Sequence, residues 1–193
     1  MCSINLYSQE IGISSAKVWT DNYEIENPIG FSAYYFQPIG RFGLKLEYFS
    51  ASNERNYYGF LVSGFWAPEY YSKESVLSKS TYRAIELSFQ IQNIVEVFQS
   101  NVNIGLGITS DKFGCSRNGK DSRREVSVGE ENKLGIFYSV SISKNDCFGL
   151  PIKLEILYKH KGMKNVKYVT DSEQLFVSLN DVKRLQLNIA YVF

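Results

Sequence analysis

The chain has 193 residues, 21 basic and 20 acidic, so its net charge of +1 gives no electrostatic reason to bind nucleic acid. No run approaches the ~18 consecutive apolar residues of a membrane-spanning helix. Aromatic residues make up 15% of the chain, which suits interfacial aromatic belts and β-sandwich cores alike.

The first nine residues form a short, weakly apolar stretch with no basic segment, so they show no complete secretory signal peptide. Two interpretations stay open. Residues 1–9 are either the remnant of a signal peptide cleaved near Gln9 and Glu10, or an ordinary soluble N-terminus. Residues 10–193 are predicted to form one domain, because their length suits a single core or a single barrel.

Alternation of apolar and polar residues with a period of two dominates the rest of the chain, and helical periodicity is almost missing. In one such segment, Ile85 and Leu87 lie on the face opposite to Glu86. Strict alternation of this kind is typical of antiparallel strands with one apolar face. The predicted strands are 10–19, 28–37, 41–51, 81–92, 99–110, 132–143, 150–160 and 183–193.

The links between these strands alternate between short and long. Short links are predicted at 38–40, 93–98 and 144–149, and long polar loops at 20–27, 52–80, 111–131 and 161–182. Short turns at one end and long loops at the other predict a closed, antiparallel, up-and-down transmembrane β-barrel with eight strands.

Residues 57–66 also have the pattern of a strand. The preferred interpretation places them in the second long loop, as a hairpin that extends above the membrane. The alternative is a ten-strand barrel, in which 57–66 crosses the membrane and a tenth strand lies near 175–179.

The last predicted strand alternates up to its final residue and ends in aromatics. Leu187, Ile189, Tyr191 and Phe193 share one face. The segment resembles the terminal strand of bacterial outer-membrane barrels, whose C-terminal aromatic residue is read by the barrel assembly machinery. The resemblance implies a bacterial outer-membrane location and an assembly signal at Tyr191 and Phe193.

Across residues 10–193 the pattern of strands, turns and loops resembles the eight-stranded OmpA/OmpX-like barrels. It implies a non-enzymatic protein of the cell envelope, with a plugged lumen and outer loops that serve surface structure, adhesion or recognition. The implied partners are outer-membrane lipid, lipopolysaccharide, the barrel assembly machinery and an unknown surface ligand. Neither a cofactor nor nucleic acid is implied.

The polar faces of the predicted strands carry charges of both signs. An eight-stranded barrel is just wide enough for side chains to fill it, and unpaired buried charges are too costly to persist. Paired charges would therefore plug the lumen, which argues against a diffusion pore; the alternative is the solvated face of a soluble sheet. This lumen charge network is predicted to contain Lys45, Glu47, Glu86, Lys153, Glu155, Lys159 and Arg184.

The second long loop, 52–80, concentrates aromatic residues. Exposed aromatic side chains on a loop are candidates for binding a partner or a glycan, although they could also pack into a loop core or extend an aromatic girdle. The loop binding candidates are Tyr57, Tyr58, Phe65, Trp66, Tyr70 and Tyr71.

Sequence motifs for phosphate binding, metal binding or disulfide formation are weak. Residues 114–121 match seven positions of a phosphate-binding loop, but Asp121 replaces the hydroxyl residue that holds magnesium, and no helix follows. With a single histidine and three cysteines at unrelated spacings, no metal site is predicted. Cys115 and Cys147 are expected at opposite ends of the barrel, so no disulfide should join them.

His160 lies at the outer end of the penultimate predicted strand, on the apolar register. This position resembles that of the outer-membrane lipid A deacylases, which carry a His-x-Ser pair there. Gly162 stands where the serine should be, so no catalytic residue is predicted. A divergent lipid A-modifying enzyme is one alternative function. A soluble barrel binding a small apolar ligand is another, and it predicts that the apolar faces point inward.

Overall fold

A computed structural model describes residues 9–20, 28–60, 73–119, 125–162 and 181–193. In these residues eight antiparallel strands form a closed barrel, in which each strand pairs with its sequence neighbours and the last pairs with the first. The strands are β1 (Glu10–Thr20), β2 (Ile29–Ile39), β3 (Phe42–Phe60), β4 (Lys73–Val97), β5 (Ser100–Gly119), β6 (Glu125–Lys144), β7 (Ile152–Gly162) and β8 (Asp181–Val192). The predicted eight-stranded, up-and-down barrel is confirmed.

The ten-strand alternative is wrong, because the ring closes with eight strands. The segment 175–179, proposed there as a tenth strand, lies outside the described residues. A short 3₁₀ helix, Cys147–Gly149, lies in the link between β6 and β7. In the described part of the chain, no helix is long and apolar enough to cross a membrane.

The strands are strongly staggered. The stagger can be counted by moving from each residue to its paired residue on the next strand. Such a path starts at Glu10, passes through all eight strands and returns to β1 at Thr20, ten residues further along. In a closed eight-stranded barrel this stagger tilts the strands by roughly 40° from the axis. The interior is then narrow enough for inward-pointing side chains to fill it.

The apolar faces of the strands point outward. Ile13, Phe31 and Leu106 are 66%, 68% and 62% exposed, whereas inward neighbours such as Ser14, Ser32 and Asn103 are buried. The outward apolar surface contradicts the soluble ligand-binding alternative, because that alternative requires the same faces to line an interior cavity.

One end of the barrel, called the turn end here, holds the short links. The link between β2 and β3 is Gly40 and Arg41, and the link between β4 and β5 is Phe98 and Gln99. The predicted link 93–98 was therefore too long: β4 continues to Val97 through a register shift between Ile91 and Val95. Asn93, with a φ of 54°, absorbs this bulge.

At the opposite, or loop, end the strands differ in length. β3 to β6 contain 19–25 residues and the other four contain 11 or 12. β3 pairs with β4 as far as Phe60 and Lys73, whereas β2 reaches only Ala51 on β3. The parts of β3 to β6 beyond the ends of β2 and β7 therefore form a four-stranded extension.

The extension corrects two predicted loops. Much of 52–80 and 111–131 is strand, because β3, β4, β5 and β6 continue into these stretches. In the sequence, these stretches lack the strict alternation of apolar and polar residues that predicts a strand. The hairpin interpretation of 57–66 is confirmed for 57–60, which continue β3 and pair with β4; 61–66 lie outside the described residues.

Four buried aromatic rings each cover a glycine on a neighbouring strand. A Cβ atom built on any of these glycines would lie 2.1–2.5 Å from a ring carbon. The missing side chain is therefore what lets each ring lie flat against the inner wall. The pairs are Tyr34 over Gly12, Phe49 over Gly30, Phe36 over Gly43 and Phe137 over Gly107.

Candidate functional site: the barrel lumen

The lumen contains equal numbers of buried cations and anions. Five basic and five acidic side chains are less than 10% exposed among the described residues. Buried charges are tolerated only when paired, and here the two signs balance. This lumen cluster consists of Lys45, Lys153, Lys159, Lys161 and Arg184 with Glu10, Glu47, Glu86, Asp111 and Glu155.

The centre of the lumen cluster is a pair of carboxylates on β3 and β4. Glu86 Oε2 accepts from Arg184 Nη2 and Lys159 Nζ at 2.5 Å each, and Glu86 Oε1 contacts Lys161 Nζ. Glu47 Oε2 accepts from Lys159 Nζ at 2.7 Å, and Glu47 Oε1 accepts from Arg184 Nη2 at 3.2 Å. Glu47 and Glu86 are direct partners across β3 and β4, so the cations also offset the repulsion between them.

Toward the turn end the network continues through two more acidic residues. Lys45 Nζ lies 3.5 Å from Glu155 Oε2 and 3.7 Å from Glu47 Oε2, so it connects this part to the centre. Lys153 Nζ donates to both carboxylate oxygens of Glu10, at 2.9 and 3.0 Å. Glu155 also accepts from Ser141 on β6 at 2.6 Å. These contacts tie β1, β3, β6 and β7 together across the lumen.

Toward the loop end, Lys161 connects Glu86 at the centre of the lumen cluster to Tyr82 and Asp111. Its Nζ donates to Asp111 Oδ1 at 2.8 Å and to the Tyr82 hydroxyl at 2.6 Å. Tyr82 in turn donates to Asp111 at 2.8 Å, and Thr109 donates to Asp111 at 2.9 Å. A continuous set of charged contacts therefore runs from Glu155 to Asp111, and the Lys153–Glu10 pair lies beyond its turn end.

Aromatic rings lie at both ends of the lumen cluster. On the loop side, Tyr82 stacks on Phe113 with ring centroids 4.4 Å apart, and Phe49 lies 5.5 Å from Tyr82. On the turn side, Tyr34 and Phe36 pack with Ala190. The rings also receive cations, which adds to the pairing energy: Arg184 Cζ lies 4.1 Å from the Phe49 centroid and Lys45 Nζ lies 3.8 Å from that of Tyr34.

All seven residues of the predicted lumen charge network lie in this cluster, each connected to at least one other charged member. Sequence reasoning missed Glu10, Asp111 and Lys161. Lys161 lies on the same strand face as Lys159, and Asp111 lies on the same strand face as Asn103. Both residues lie one position beyond the ends of their predicted strands. Glu10 lies inside its predicted strand, on the same inward face as Gly12 and Ser14.

The predicted assembly-signal residues lie on the outward face at the turn end. Tyr191 and Phe193 are 57% and 53% exposed, and their rings are stacked with centroids 6.3 Å apart. The Phe193 backbone exchanges two hydrogen bonds with Gln9, at 2.9 and 3.0 Å. The final residue is therefore held in the sheet next to the beginning of β1. Cleavage near Gln9 stays a prediction.

His160 lies on the outward face toward the loop end of β7, with both ring nitrogens engaged. Nε2 lies 3.3 Å from Asp181 Oδ1, and Nδ1 lies 2.9 Å from the Tyr138 hydroxyl. Each ring nitrogen therefore has a polar neighbour, and the tautomer decides whether Nδ1 or the Tyr138 hydroxyl donates.

The other predicted features are only partly described. Tyr57 and Tyr58 lie on the extended part of β3 with only their backbones described, and Phe65, Trp66, Tyr70 and Tyr71 lie outside the described residues. Cys147 is a buried free thiol in the turn-end link. Among the described side chains, no group of three His, Cys, Asp or Glu residues could hold a metal ion.

Similar folds occur among solved structures. A major outer-membrane protein from Thermus thermophilus aligns with a TM-score of 0.63 and 11% identity, over 96% of this chain and 99% of that one. The fold is that of a small outer-membrane β-barrel. Neisserial surface protein A aligns with a TM-score of 0.55 and 9% identity, over 97% of both chains.

A third similar structure is Ail, the attachment invasion locus protein of Yersinia pestis, with a TM-score of 0.52 and 16% identity over 97% of both chains. No protein-family model matches the chain, and no curated protein matches it. At these identities the likeness concerns the fold.

Proposed function

We propose that the protein is a non-conducting barrel of a bacterial outer membrane that acts through its outer surface. In this orientation the turn end faces the periplasm and the loop end faces the outside. The outward apolar band would face lipid and lipopolysaccharide, as in outer-membrane barrels generally. Tyr191 and Phe193 would be read by the barrel assembly machinery.

The observation that supports the proposal is the lumen cluster of buried, paired charges. An ion crossing the barrel would have to separate pairs such as Glu86 with Arg184, which are about 1% exposed, and then pass the Tyr82–Phe113 stack. Separating a buried pair costs about 3–5 kcal/mol. The lumen therefore supports a structural role rather than transport.

We expect the protein to give no stepwise ionic current in a planar lipid bilayer, because an ion would have to separate the buried charge pairs of the lumen cluster. Insertion is checked separately, by gel mobility of protein recovered from vesicles of the same lipid. Regular conductance steps from inserted, folded protein would contradict the plugged lumen.

The four-stranded extension is the feature proposed to meet a partner outside the cell. Its strands β3 and β4 stay paired as far as Phe60 and Lys73, well beyond the end of β2. Ail, which has a similar fold, is named the attachment invasion locus protein and was solved in complex with a heparin analogue, sucrose octasulfate. These points support surface recognition or adhesion; the surface ligand is unknown.

Replacing residues 61–72 by a two-residue turn should leave the barrel folded but reduce attachment of bacteria that display it to an array of host glycans and matrix proteins. The physical reason is that the change removes Phe65, Trp66, Tyr70 and Tyr71 and leaves every described strand intact. A matched variant shortens 120–124 instead. Unchanged attachment by the first variant, or an equal loss in both, would contradict a role for the aromatic loop.

A further inference from the structure

Two lysines on neighbouring strands lie on the outward face near the loop end. Lys17 on β1 and Lys183 on β8 are both exposed. Trp19 is the direct partner of Lys183, and Lys17 Nζ lies 5.6 Å from the centroid of the Trp19 ring. Two ammonium groups and an indole therefore share a small area above the outward apolar band.

Neither lysine forms an ion pair with a carboxylate among the described residues. Asp181, two residues before Lys183 on the same face of β8, lies 3.3 Å from His160 Nε2. A lysine facing the lipid is costly at the middle of a bilayer and nearly neutral at its surface, where the long side chain can reach the headgroups. Lys17 and Lys183 are thus available to an anion at headgroup level.

A groove opens directly below these lysines. It has a volume of about 350 Å³ and is lined by Ser15, Lys17, Ile29, Ile156, Leu185 and Leu187, among others. The small Ser15 is the direct partner of Leu187 and of Phe31, so it leaves a depression between larger outward side chains. The walls are apolar and the upper end is basic.

We propose that this surface is a binding site for a phosphorylated outer-leaflet lipid, with lipid A as its occupant. One phosphate would contact Lys17 and Lys183, Trp19 would lie against the sugar at the membrane interface, and one acyl chain would occupy the groove above Ser15. The inference rests on the proposed outer-membrane orientation, because only then does the loop end face the leaflet that contains lipid A.

The charge and shape of the surface together favour this occupant. Two cations that have no ion pair within the described part of the chain suit a doubly charged phosphate better than a zwitterionic headgroup, whose own cation would be repelled. Tryptophan and basic residues are typical of the membrane interface, and the groove continues from the cations into the apolar band. A soluble phosphate would gain nothing from the groove.

The test uses the full chain with Trp66→Phe, which leaves Trp19 as the only tryptophan. The refolded protein in zwitterionic detergent is titrated with diphosphoryl lipid A, dephosphorylated lipid A or phosphatidylglycerol, and Trp19 fluorescence is recorded. We expect saturable binding of diphosphoryl lipid A and at least tenfold weaker binding of the other two. Equal binding of phosphatidylglycerol would overturn the choice of lipid A.

Removing both lysines, with Lys17→Gln and Lys183→Gln, should weaken binding by about 30-fold, since a basic residue near an anionic membrane surface contributes about fivefold. The control is Arg83→Gln with Lys112→Gln. These outward residues are paired on β4 and β5, on the far side of the barrel, and their loss should change binding less than threefold. An equal loss in both variants would overturn a localised site.

A third variant, Ser15→Leu, fills the groove without changing any charge and should weaken binding at least fivefold. Unchanged affinity would overturn the acyl-chain position. Gel mobility of every variant, unheated and boiled, reports whether the barrel is folded. A barrel that folds and inserts but binds no lipid A refutes this inference alone, whereas failure to form a barrel in lipid refutes the proposed function.

Discussion

Glu86→Gln should destabilise the barrel by about 3–5 kcal/mol, the cost of leaving a buried charge without its partner. Glu86 is 1% exposed and contacts Arg184, Lys159 and Lys161. Glutamine has nearly the same volume, so the variant removes the charge without opening a cavity. The free energy of unfolding is measured by urea titration of the protein in lipid vesicles.

The matched control is Glu54→Gln. Glu54 lies 2.7 Å from Lys79 in the four-stranded extension, but both side chains are about half exposed. Exposed pairs contribute under ~1 kcal/mol, so this variant should unfold almost like the original protein. Combining Glu86→Gln with Lys161→Gln restores the charge balance and should cost less than the two single changes added. Equal effects of Glu86→Gln and Glu54→Gln would contradict an essential lumen cluster.

Gly107→Ala should destabilise the barrel by about 1–3 kcal/mol, the usual cost of overpacking. The added Cβ would lie 2.5 Å from the Phe137 ring and 2.6 Å from the Leu87 carbonyl oxygen. The ring is buried and the carbonyl belongs to the neighbouring strand, so neither moves without disturbing the lumen packing. The same urea titration measures the effect.

Gly162→Ala is the control for this change. Gly162 also lies in a strand, but a Cβ there would have no atom of the described residues within 4 Å. Its substitution should change the free energy of unfolding by less than ~0.5 kcal/mol. If the two alanine variants were equally stable, the glycine at 107 would not be needed to hold the Phe137 ring.

The parts of the fold that face an apolar surface could be predicted from the sequence. Leu185, Leu187 and Ile189 alternate with Arg184 and its polar neighbours, and the period of two assigns each residue to a face of the sheet without any knowledge of the partner strand. The same argument applied to each alternating segment predicts the strand count and the inward direction of the charges.

The parts that depend on contacts across the lumen could not be predicted. Nothing local to Glu86 indicates that Arg184, about a hundred residues later, donates to it; the stagger of the closed ring decides that. The same holds for Phe137 over Gly107. The four-stranded extension was missed for a different reason, since the strands lose their one-sided apolar pattern where they leave the apolar band.

The most direct test of a closed membrane barrel is the gel mobility of the detergent-extracted protein, unheated against boiled in SDS. The strands form a ring without free edges, so the unheated protein should stay folded and migrate differently from the boiled protein. Identical mobility, together with solubility in buffer without detergent, would contradict the barrel and indicate that the apolar faces pack against each other in a soluble core.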